Sequence, residues 1–327
     1  MMIGFEGEID LATIPTCILS DGKAGHLNQS LGVAQALGIK DLKIIELKKP
    51  KFAWLLGWLH PKLAMTPLPR PPFPRLIIST GSLPARCAMY IKQQQPDAFI
   101  VQMMRPPVPA FYFDVLALPV HDRLLAHQSI VRTVGAPNKV TPELLFDAKA
   151  QWQKTFNKFK GNKIGVLLGG NSKKYTFTMT KAQKLGQQLL KLQEEGHSLL
   201  ITPSRRTPKA VVDHLKNALS PENMYFWDGQ GENPYLGILA WSDKVVTTVD
   251  SVSMASEAAT AGKPVWVFDF EASKKMGKIG RFFKALQRNA SVKPMGVEHQ
   301  SYDVLPLADA QKVAGFVRAQ FWRRHVK

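Results

Sequence analysis

The chain has 327 residues, of which 45% are hydrophobic, and its 43 Lys and Arg outnumber 25 Asp and Glu to give a net charge of +18. This length suits two average domains, and this share of apolar residues excludes a globally disordered chain. The positive charge favours an anionic partner, such as a phosphorylated substrate, an acidic membrane surface or nucleic acid.

Cysteine usage and the absence of apolar segments indicate the compartment. Cys17 and Cys87 lie far apart without metal-ligand spacing, so neither a disulfide scaffold nor a structural zinc site is supported. The N-terminus lacks the basic and long apolar regions of a signal peptide, and no apolar stretch is long enough to cross a bilayer. We therefore expect a cytoplasmic protein that is soluble or peripheral at a membrane.

The first predicted unit is a buried strand over 15–20, a glycine-containing loop, and a helix closed by Gly38. His26 lies where the helix starts, and the positive end of the helix dipole disfavours a charged imidazole there. A neutral imidazole can accept a proton as a general base. The alternative is a histidine that only caps the surface of the helix.

The segment over 51–60 contains two tryptophans among leucines and has lysines on both sides, from Lys48 to Lys62. This composition is typical of a segment resting on anionic lipid. It also suits a core helix that covers the sheet, and both interpretations stay open.

Strands alternate with connectors and helices from Leu76 to Gly135, which predicts a parallel sheet with helices on its faces. Arg105 follows one predicted strand end, where ligands of such sheets bind. A polar, charged helical run over 143–160 marks the change to a second half with the same alternation. We place two domains at 1–145 and 146–327.

Two polar loops follow strands in the second half. The strand over 163–168 leads into Gly169, Gly170, Asn171 and Ser172, a plausible anion cradle that lacks the spacing of a P-loop. The strand over 198–202 leads into Ser204, Arg205 and Arg206. Paired guanidinium groups suit a diphosphate, and the alternative is a solvated basic loop.

The stretch over 244–270 predicts a strand, a turn at Asp250 and Ser251, and a helix that ends at Gly262 before a second strand. Ser251 and Ser253 precede or open the helix, whose unpaired N–H groups and dipole suit a phosphate. Glu257, near the first turn, is placed to accept from a ribose hydroxyl. The alternative is an ordinary strand–helix–strand unit in which the serines only cap the helix.

Three features occur together: an early Gly-Lys-Ala-Gly-His loop (22–26), the Gly-Gly-Asn-Ser loop (169–172), and a late pattern of Ser253, Glu257, Ala258, Gly262 and Pro264. This set resembles the GT-B glycosyltransferases and is similar to the lipid-linked N-acetylglucosamine transferase of peptidoglycan synthesis. More closely, the segments 20–29, 169–172, 202–207 and 248–254 resemble the bacterial mitochondrial-fission-protein-like family. That family is described as a glycosyltransferase or nucleoside-diphosphate-sugar epimerase group.

The resemblance implies an α/β fold of two Rossmann-like domains facing across a cleft, with the last helix (about 308–325) crossing back to the first domain. It implies a nucleotide sugar held by the second domain, with Glu257 on the ribose and the diphosphate at Ser251 and Ser253 near the arginines. It also implies a general base on the first domain, His26, with Asp21 as a second candidate.

No D-x-D occurs in a suitable loop, so we expect metal-free transfer, with no permanently bound cofactor, to a lipid-linked or lipopolysaccharide-type acceptor at the anionic inner leaflet. Two alternatives are a nucleotide-sugar epimerase and a non-catalytic membrane-associated scaffold. A nucleic-acid partner is not expected, since no recognition module or aromatic–basic platform supports one.

Overall fold

The computed structural model describes residues 10–48, 70–122, 127–289, 292–298 and 305–325. The chain divides into two compact units, Met1–Lys139 with Ala308–Lys327, and Val140–Leu307. Each unit is built on a six-stranded parallel sheet with helices, which confirms the predicted α/β class. The predicted interfacial or core segment over 51–60 lies outside the described residues.

The sheet of the first unit has the strand order β2-β1-β3-β4-β5-β6. Its described elements are β1 (Thr16–Ser20), α1 (Ala24–Leu37), β2 (Leu42–Glu46), β3 (Leu76–Thr80), α2 (Ser82–Gln94), β4 (Phe99–Met103), β5 (Val115–Pro119) and β6 (Ile130–Thr133). Strands β1, β3 and β4 are buried at every position. Continuous burial is expected of parallel strands covered on both faces, and apolar clusters do pack on the two faces of this sheet.

The sheet of the second unit has the order β12-β11-β10-β7-β8-β9. Its described elements are α3 (Pro142–Gln151), α4 (Gln153–Phe156), β7 (Lys163–Leu168), α5 (Met179–Glu194), β8 (Ser198–Pro203), α6 (Lys209–Ala218), β9 (Met224–Phe226), α7 (Tyr235–Trp241), β10 (Lys244–Thr248), α8 (Val252–Thr260), β11 (Val265–Phe268), α9 (Phe270–Ser273), α10 (Lys278–Asn289) and β12 (Val292–Pro294). Strands β7, β10 and β8 are neighbours, so the loops after their carboxyl ends emerge side by side.

The last helix, α11 (Asp309–His325), packs in the core of the first unit. Val313, Val317 and Phe321 are buried there beside residues of β1 and α1. Asp309 accepts hydrogen bonds from the backbone N–H groups of Val134 (3.0 Å) and Gly135 (2.7 Å). The helix is therefore fixed both by apolar packing and at its first residue.

Two helical details differ from the predictions. The run expected over 143–160 is split into α3 and α4 at Trp152, whose ring lies against Gly237 of α7 so closely that a Cβ on that glycine would collide with it. The seven-residue helix α7 was not predicted. Among the described residues, no helix combines the length and the apolar character needed to span a membrane.

Candidate functional site

The polar loops after β7, β8 and β10 meet at one edge of the second sheet. The N–H of Gly170 donates to Oδ2 of Asp250 at 2.9 Å, and Nη2 of Arg206 lies 2.9 Å from the same oxygen. One residue from each of the three loops therefore takes part, and the two contacts share one carboxylate oxygen. These contacts bring together three residues that were predicted to bind the donor, Gly170, Arg206 and Asp250.

Asp250 is the centre of this cluster, and its side chain is fully buried. Besides Gly170 and Arg206, it accepts a hydrogen bond from the hydroxyl of Thr248 at 2.7 Å. Thr248 in turn accepts from the N–H of Gly169 at 2.8 Å. Through these contacts Asp250 links the three loops, and its assignment as a donor-binding residue stays a prediction.

Neighbouring loops of the chain leave room only for glycine at the two glycine positions that follow β7. A Cβ on Gly169 would collide with the carboxylate of Asp250, and one on Gly170 would collide with the backbone of Arg206. From the sequence we interpreted these glycines as part of an anion cradle. In the structure, the atoms that approach belong to the loops after β10 and β8.

Asn171 and Ser172 shape the rest of the β7 loop. Oδ1 of Asn171 accepts from the N–H of Phe177 at 2.9 Å, and the backbone of Asn171 pairs with Arg206 at 3.0 Å. The N–H of Ser172 donates to the carbonyl of Tyr175 at 2.8 Å, which closes a turn. Both residues are exposed, so they border the cluster on its solvent side.

The two adjacent arginines differ in their surroundings. Both are exposed, but Arg206 is paired with Asp250, whereas within the described residues the guanidinium group of Arg205 has no hydrogen bond or ion pair. Ser204 lies beside them, with its hydroxyl 3.1 Å from that of Thr207. Arg205 therefore has its whole guanidinium group available to an anion, and the half-exposed Arg206 is partly engaged by Asp250.

The start of α8 follows Asp250 directly. The Ser251 side chain caps the helix by accepting from the N–H of Met254 at 3.4 Å. Helix geometry gives the N–H groups of Val252 and Ser253 no partner inside the helix. These two donors and the dipole of α8 lie at the same sheet edge as the β7 and β8 loops, an arrangement that suits an anion.

Glu257 is the sixth residue of α8 and so lies at the start of its second turn, one turn in from Ser251. It is buried, and the hydroxyl of Tyr235 donates to its Oε2. Burial, and then the nearby carboxylate of Glu257, raise the pKa of Tyr235 well above its ordinary value. The phenol therefore remains a hydrogen-bond donor that orients the carboxylate.

In the first unit, His26 and Asp21 form a side-chain pair at the start of α1. Nδ1 of His26 lies 3.0 and 3.1 Å from the two carboxylate oxygens of Asp21, which also pairs with Lys23. The Asp21 side chain is 6% exposed and that of His26 is 20% exposed. Asp21 is therefore the partner of the imidazole, a relation that we did not predict when we named it as a second candidate base.

The imidazole of His26 rests on Gly81, the residue between β3 and α2. A Cβ there would lie 2.6 Å from the ring, and the backbone has φ +92°. The buried amide of Gln102 donates to the carbonyls of Gly81 (3.4 Å) and Met103 (2.5 Å) and so supports this turn. The sequence showed a strand–glycine–helix pattern here but not its contact with His26.

Both members of the pair have lowered pKa values. Burial has the largest effect on His26 and lowers its pKa. The carboxylate of Asp21 raises this pKa and the charge of Lys23 lowers it, so that the net shift is downward from 6.5. Burial raises the pKa of Asp21, but hydrogen bonds and charges from Lys23 and His26 outweigh it, and the net shift is downward. At neutral pH a carboxylate, which only accepts, therefore faces a neutral imidazole, whose Nδ1–H must be the donor. Nε2 is left as a proton acceptor.

The profile described as "Mitochondrial fission ELM1" matches residues 24–321. The chain belongs to the mitochondrial fission ELM1 family. This family was expected from the motifs, and the match confirms it.

Two relatives show how far the similarity extends. The chain is 27% identical to the uncharacterized protein RP120 of Rickettsia prowazekii, over 92% of this chain and 97% of that protein. It is 28% identical to the mitochondrial fission protein ELM1 of Arabidopsis thaliana, over 77% of this chain and 65% of that protein.

Solved structures are similar in fold. The UDP-GlcNAc 2-epimerase of Methanocaldococcus jannaschii has a TM-score of 0.54 at 11% identity, covering 94% of this chain and 99% of its own. The UDP-GlcNAc 2-epimerase of Neisseria meningitidis, bound to UDP-GlcNAc, has a TM-score of 0.51 at 13% identity, covering 95% and 92%. This ELM1-family chain therefore has the GT-B type of fold with two Rossmann-like domains.

Proposed function

We propose that this ELM1-family chain is a glycosyltransferase that moves a sugar from a nucleoside-diphosphate sugar to a hydroxyl of a membrane-associated glycolipid or lipopolysaccharide-type acceptor. The observation that carries the proposal is the Asp21–His26 pair, with its 3.0 Å contact and an imidazole that is neutral at neutral pH. An oriented neutral histidine is the group most often used as a general base.

In the proposed reaction, Nε2 of His26 takes the proton of the acceptor hydroxyl as its oxygen bonds to the anomeric carbon. The bond from that carbon to the diphosphate oxygen breaks, and the nucleoside diphosphate leaves with the electron pair. Asp21 stabilises the imidazolium that forms, because it is a buried carboxylate at hydrogen-bond distance from Nδ1.

The donor is assigned to the edge of the second sheet. The free N–H groups at the start of α8 and the exposed Arg205 would stabilise the charge on the leaving diphosphate, a role that the proposal gives to protein groups rather than to a metal ion. Glu257, oriented by Tyr235, would accept from a ribose hydroxyl. Gly170, Asn171, Arg206 and Asp250 would set the shape of the loops.

A second candidate is a nucleotide-sugar epimerase. It is favoured by the fold that the chain shares with two UDP-GlcNAc 2-epimerases over more than nine-tenths of its length. An epimerase needs no acceptor, so the two functions differ in what they consume. The net charge of +18 favours an anionic membrane surface as the place of the acceptor and so supports the transferase.

The first test is binding. The purified chain is titrated with UDP, GDP, ADP and dTDP and with their sugar conjugates, and its melting temperature is followed, since a ligand of the native state raises stability by mass action. We expect the nucleotides of one nucleobase, and their sugar conjugates, to raise the melting temperature at millimolar concentration. No shift with any of them would refute a nucleotide-sugar function and favour the scaffold.

The second test separates the two enzymes. The nucleotide sugar that binds in the first test is incubated with the chain, either without acceptor or with a bacterial glycolipid extract. The products are followed by NMR and by release of the nucleotide. Acceptor-dependent release supports transfer, and a new stereoisomer without acceptor identifies an epimerase. His26→Ala should abolish turnover and keep nucleotide binding, whereas His197→Ala, before β8, serves as a matched control and should change neither.

A further inference from the structure

The segment between β11 and β12 carries a concentration of positive charge. From residue 272 to residue 297 the sequence contains seven Lys and Arg and no Asp or Glu. Six of these cations are exposed and precede or belong to α10: Lys274, Lys275, Lys278, Arg281, Lys284 and Arg288. The function proposed above gives none of them a role.

Helix α10 has a buried apolar face and an exposed cationic face. Phe282, Phe283 and Leu286 are at most 2% exposed, and the ring of Phe283 packs edge-on against Phe270 of α9 at 5.9 Å. At 3.6 residues per turn, four cations fall within an arc of about 120° on the opposite side of the helix. We call these four residues the basic face: Lys278, Arg281, Lys284 and Arg288.

Packing fixes the basic face toward solvent. A Cβ on Gly280 would collide with the backbone carbonyl of Ser273, and Met276, just before the helix, is buried. The helix therefore cannot turn its apolar side outward without losing these contacts. Among the described residues of α10, no large apolar side chain is exposed. A partner of this face would consequently be held by charge rather than by insertion of apolar side chains.

The chain leaves part of this charge without a partner. Within the described residues, the side chains of Lys284 and Arg288 make no hydrogen bond and no ion pair. The nearest acid before the segment, Glu271, is paired with Lys274. Lys284 and Arg288 are four residues apart and so lie on adjacent turns, where both can contact one extended anionic surface.

The basic segment begins at the edge of the sheet to which the donor is assigned. Helix α9 starts at Phe270, directly after the carboxyl end of β11. Strand β11 is the neighbour of β10, whose carboxyl end leads into α8. Helix α10 follows α9, so the basic face and the assigned donor edge belong to consecutive parts of one unit.

We propose that the basic face of α10 docks this chain on an anionic membrane surface. The choice of lipid rests on the proposed function, since the acceptor assigned there is associated with a membrane. Lys and Arg close to a surface of anionic lipids are attracted by its negative potential. Within the described residues, no aromatic side chain is exposed on this face for a nucleobase to stack on, which makes it less suited to a single-stranded nucleic acid.

The test is sedimentation of the full chain with vesicles of phosphatidylcholine, with and without phosphatidylglycerol. The wild type should bind only the anionic vesicles, and raising the salt from about 0.15 M to about 1 M should release it, because the screening length falls from about 8 to about 3 Å. Each Lys or Arg near such a surface contributes up to about five-fold in affinity. The double variant Lys284→Gln, Arg288→Gln should therefore bind about three- to twenty-five-fold more weakly.

The matched control is Lys184→Gln, Lys191→Gln, which removes the same charge from two exposed lysines of α5. It should bind anionic vesicles within about two-fold of the wild type. An equal loss in both double variants would show attraction by net charge alone and would overturn the assignment to α10. A wild-type chain that does not bind anionic vesicles at about 0.15 M salt would also overturn it. Melting temperatures identify any variant that fails to fold.

Two further measurements separate this inference from its alternatives. Fluorescence anisotropy with labelled single-stranded and duplex DNA tests the other anionic partner, and tighter binding to DNA than to vesicles, lost in the α10 variant, would overturn the lipid assignment. The nucleotide titration tests the proposed function. Nucleotide binding without vesicle binding would overturn the docking face alone, whereas vesicle binding that requires α10, without any nucleotide effect, would support the docking face and refute the proposed function.

Discussion

Replacing Asp250 by alanine tests the central claim about the second sheet, that this carboxylate holds three loops together. The change removes the acceptor of the Gly170 N–H (2.9 Å) and of the Thr248 hydroxyl (2.7 Å), and one partner of Arg206 (2.9 Å). A buried donor left without a partner costs about 1–3 kcal/mol, and the lost bond from Thr248 adds about 1 kcal/mol.

The arginine adds little to this sum, because its side chain is 46% exposed and water can replace the carboxylate. The expected loss in the free energy of unfolding is therefore about 2–4 kcal/mol. For a unit of this size, that corresponds to a decrease of about 4–16 °C in melting temperature. Asp250→Asn keeps an acceptor oxygen and should fall between the wild type and Asp250→Ala.

Thermal unfolding followed by circular dichroism measures the effect. Asp213→Ala is the matched control, because its carboxylate is 51% exposed and pairs with Lys209, a surface lysine four residues earlier. That variant should melt with the wild type. If Asp250→Ala melts within about 1 °C of Asp213→Ala, the carboxylate does not hold the loops and the reasoning fails.

Three further predictions concern the first unit. Turnover should be full above the pKa of His26, which lies below 6.5, and should be lost as the pH falls through that pKa. Asp21→Asn removes the carboxylate that raises this pKa. The pH–rate profile of that variant should therefore lose activity at a lower pH than the wild type and should have a lower maximum. Gly81→Ala should displace the imidazole of His26 and move its pKa, measured by NMR, toward 6.5. Gly38→Ala is the control, because Gly38 also has a positive φ but a Cβ added there would come no closer than 3.9 Å to another residue. It should leave the pKa of His26 unchanged. Asp309→Ala leaves two backbone N–H groups without acceptors and should destabilise the first unit by about 2–4 kcal/mol. Limited proteolysis should then cleave the segment of α11 faster than in the wild type. Cleavage at the wild-type rate would contradict this prediction.

Much of the fold was predictable because local signals and the global fold agree. The stretch over 244–270 is the best example: an apolar strand, a serine cap, and Gly262 in a left-handed conformation after α8. Helix α7 was missed because a seven-residue apolar run has too few turns to distinguish a helix from a strand. The break at Trp152 occurs where its ring packs on Gly237, which is distant in the chain, and a local sequence pattern contains no information on that contact.

The site was predictable to the level of loops but not of contacts. The family resemblance implied that the loops at 169–172, 204–206 and 250–253 share one donor site, and carboxyl ends of neighbouring parallel strands do lie at one edge of a sheet. Which residues face each other across that edge depends on strand order and side-chain length. The pairing of Arg206 with Asp250, and the identity of the atoms that crowd Gly169 and Gly170, therefore required coordinates.

The position of α11 has a consequence for synthesis on the ribosome. Val313, Val317 and Phe321 complete an apolar layer whose other members, such as Ile18 and Val33, were translated near the beginning of the chain. All of Val140–Leu307 emerges before those last side chains exist. A nascent chain therefore keeps part of this hydrophobic layer uncovered until α11 has been made, and release before α11 would leave that surface exposed and prone to aggregation.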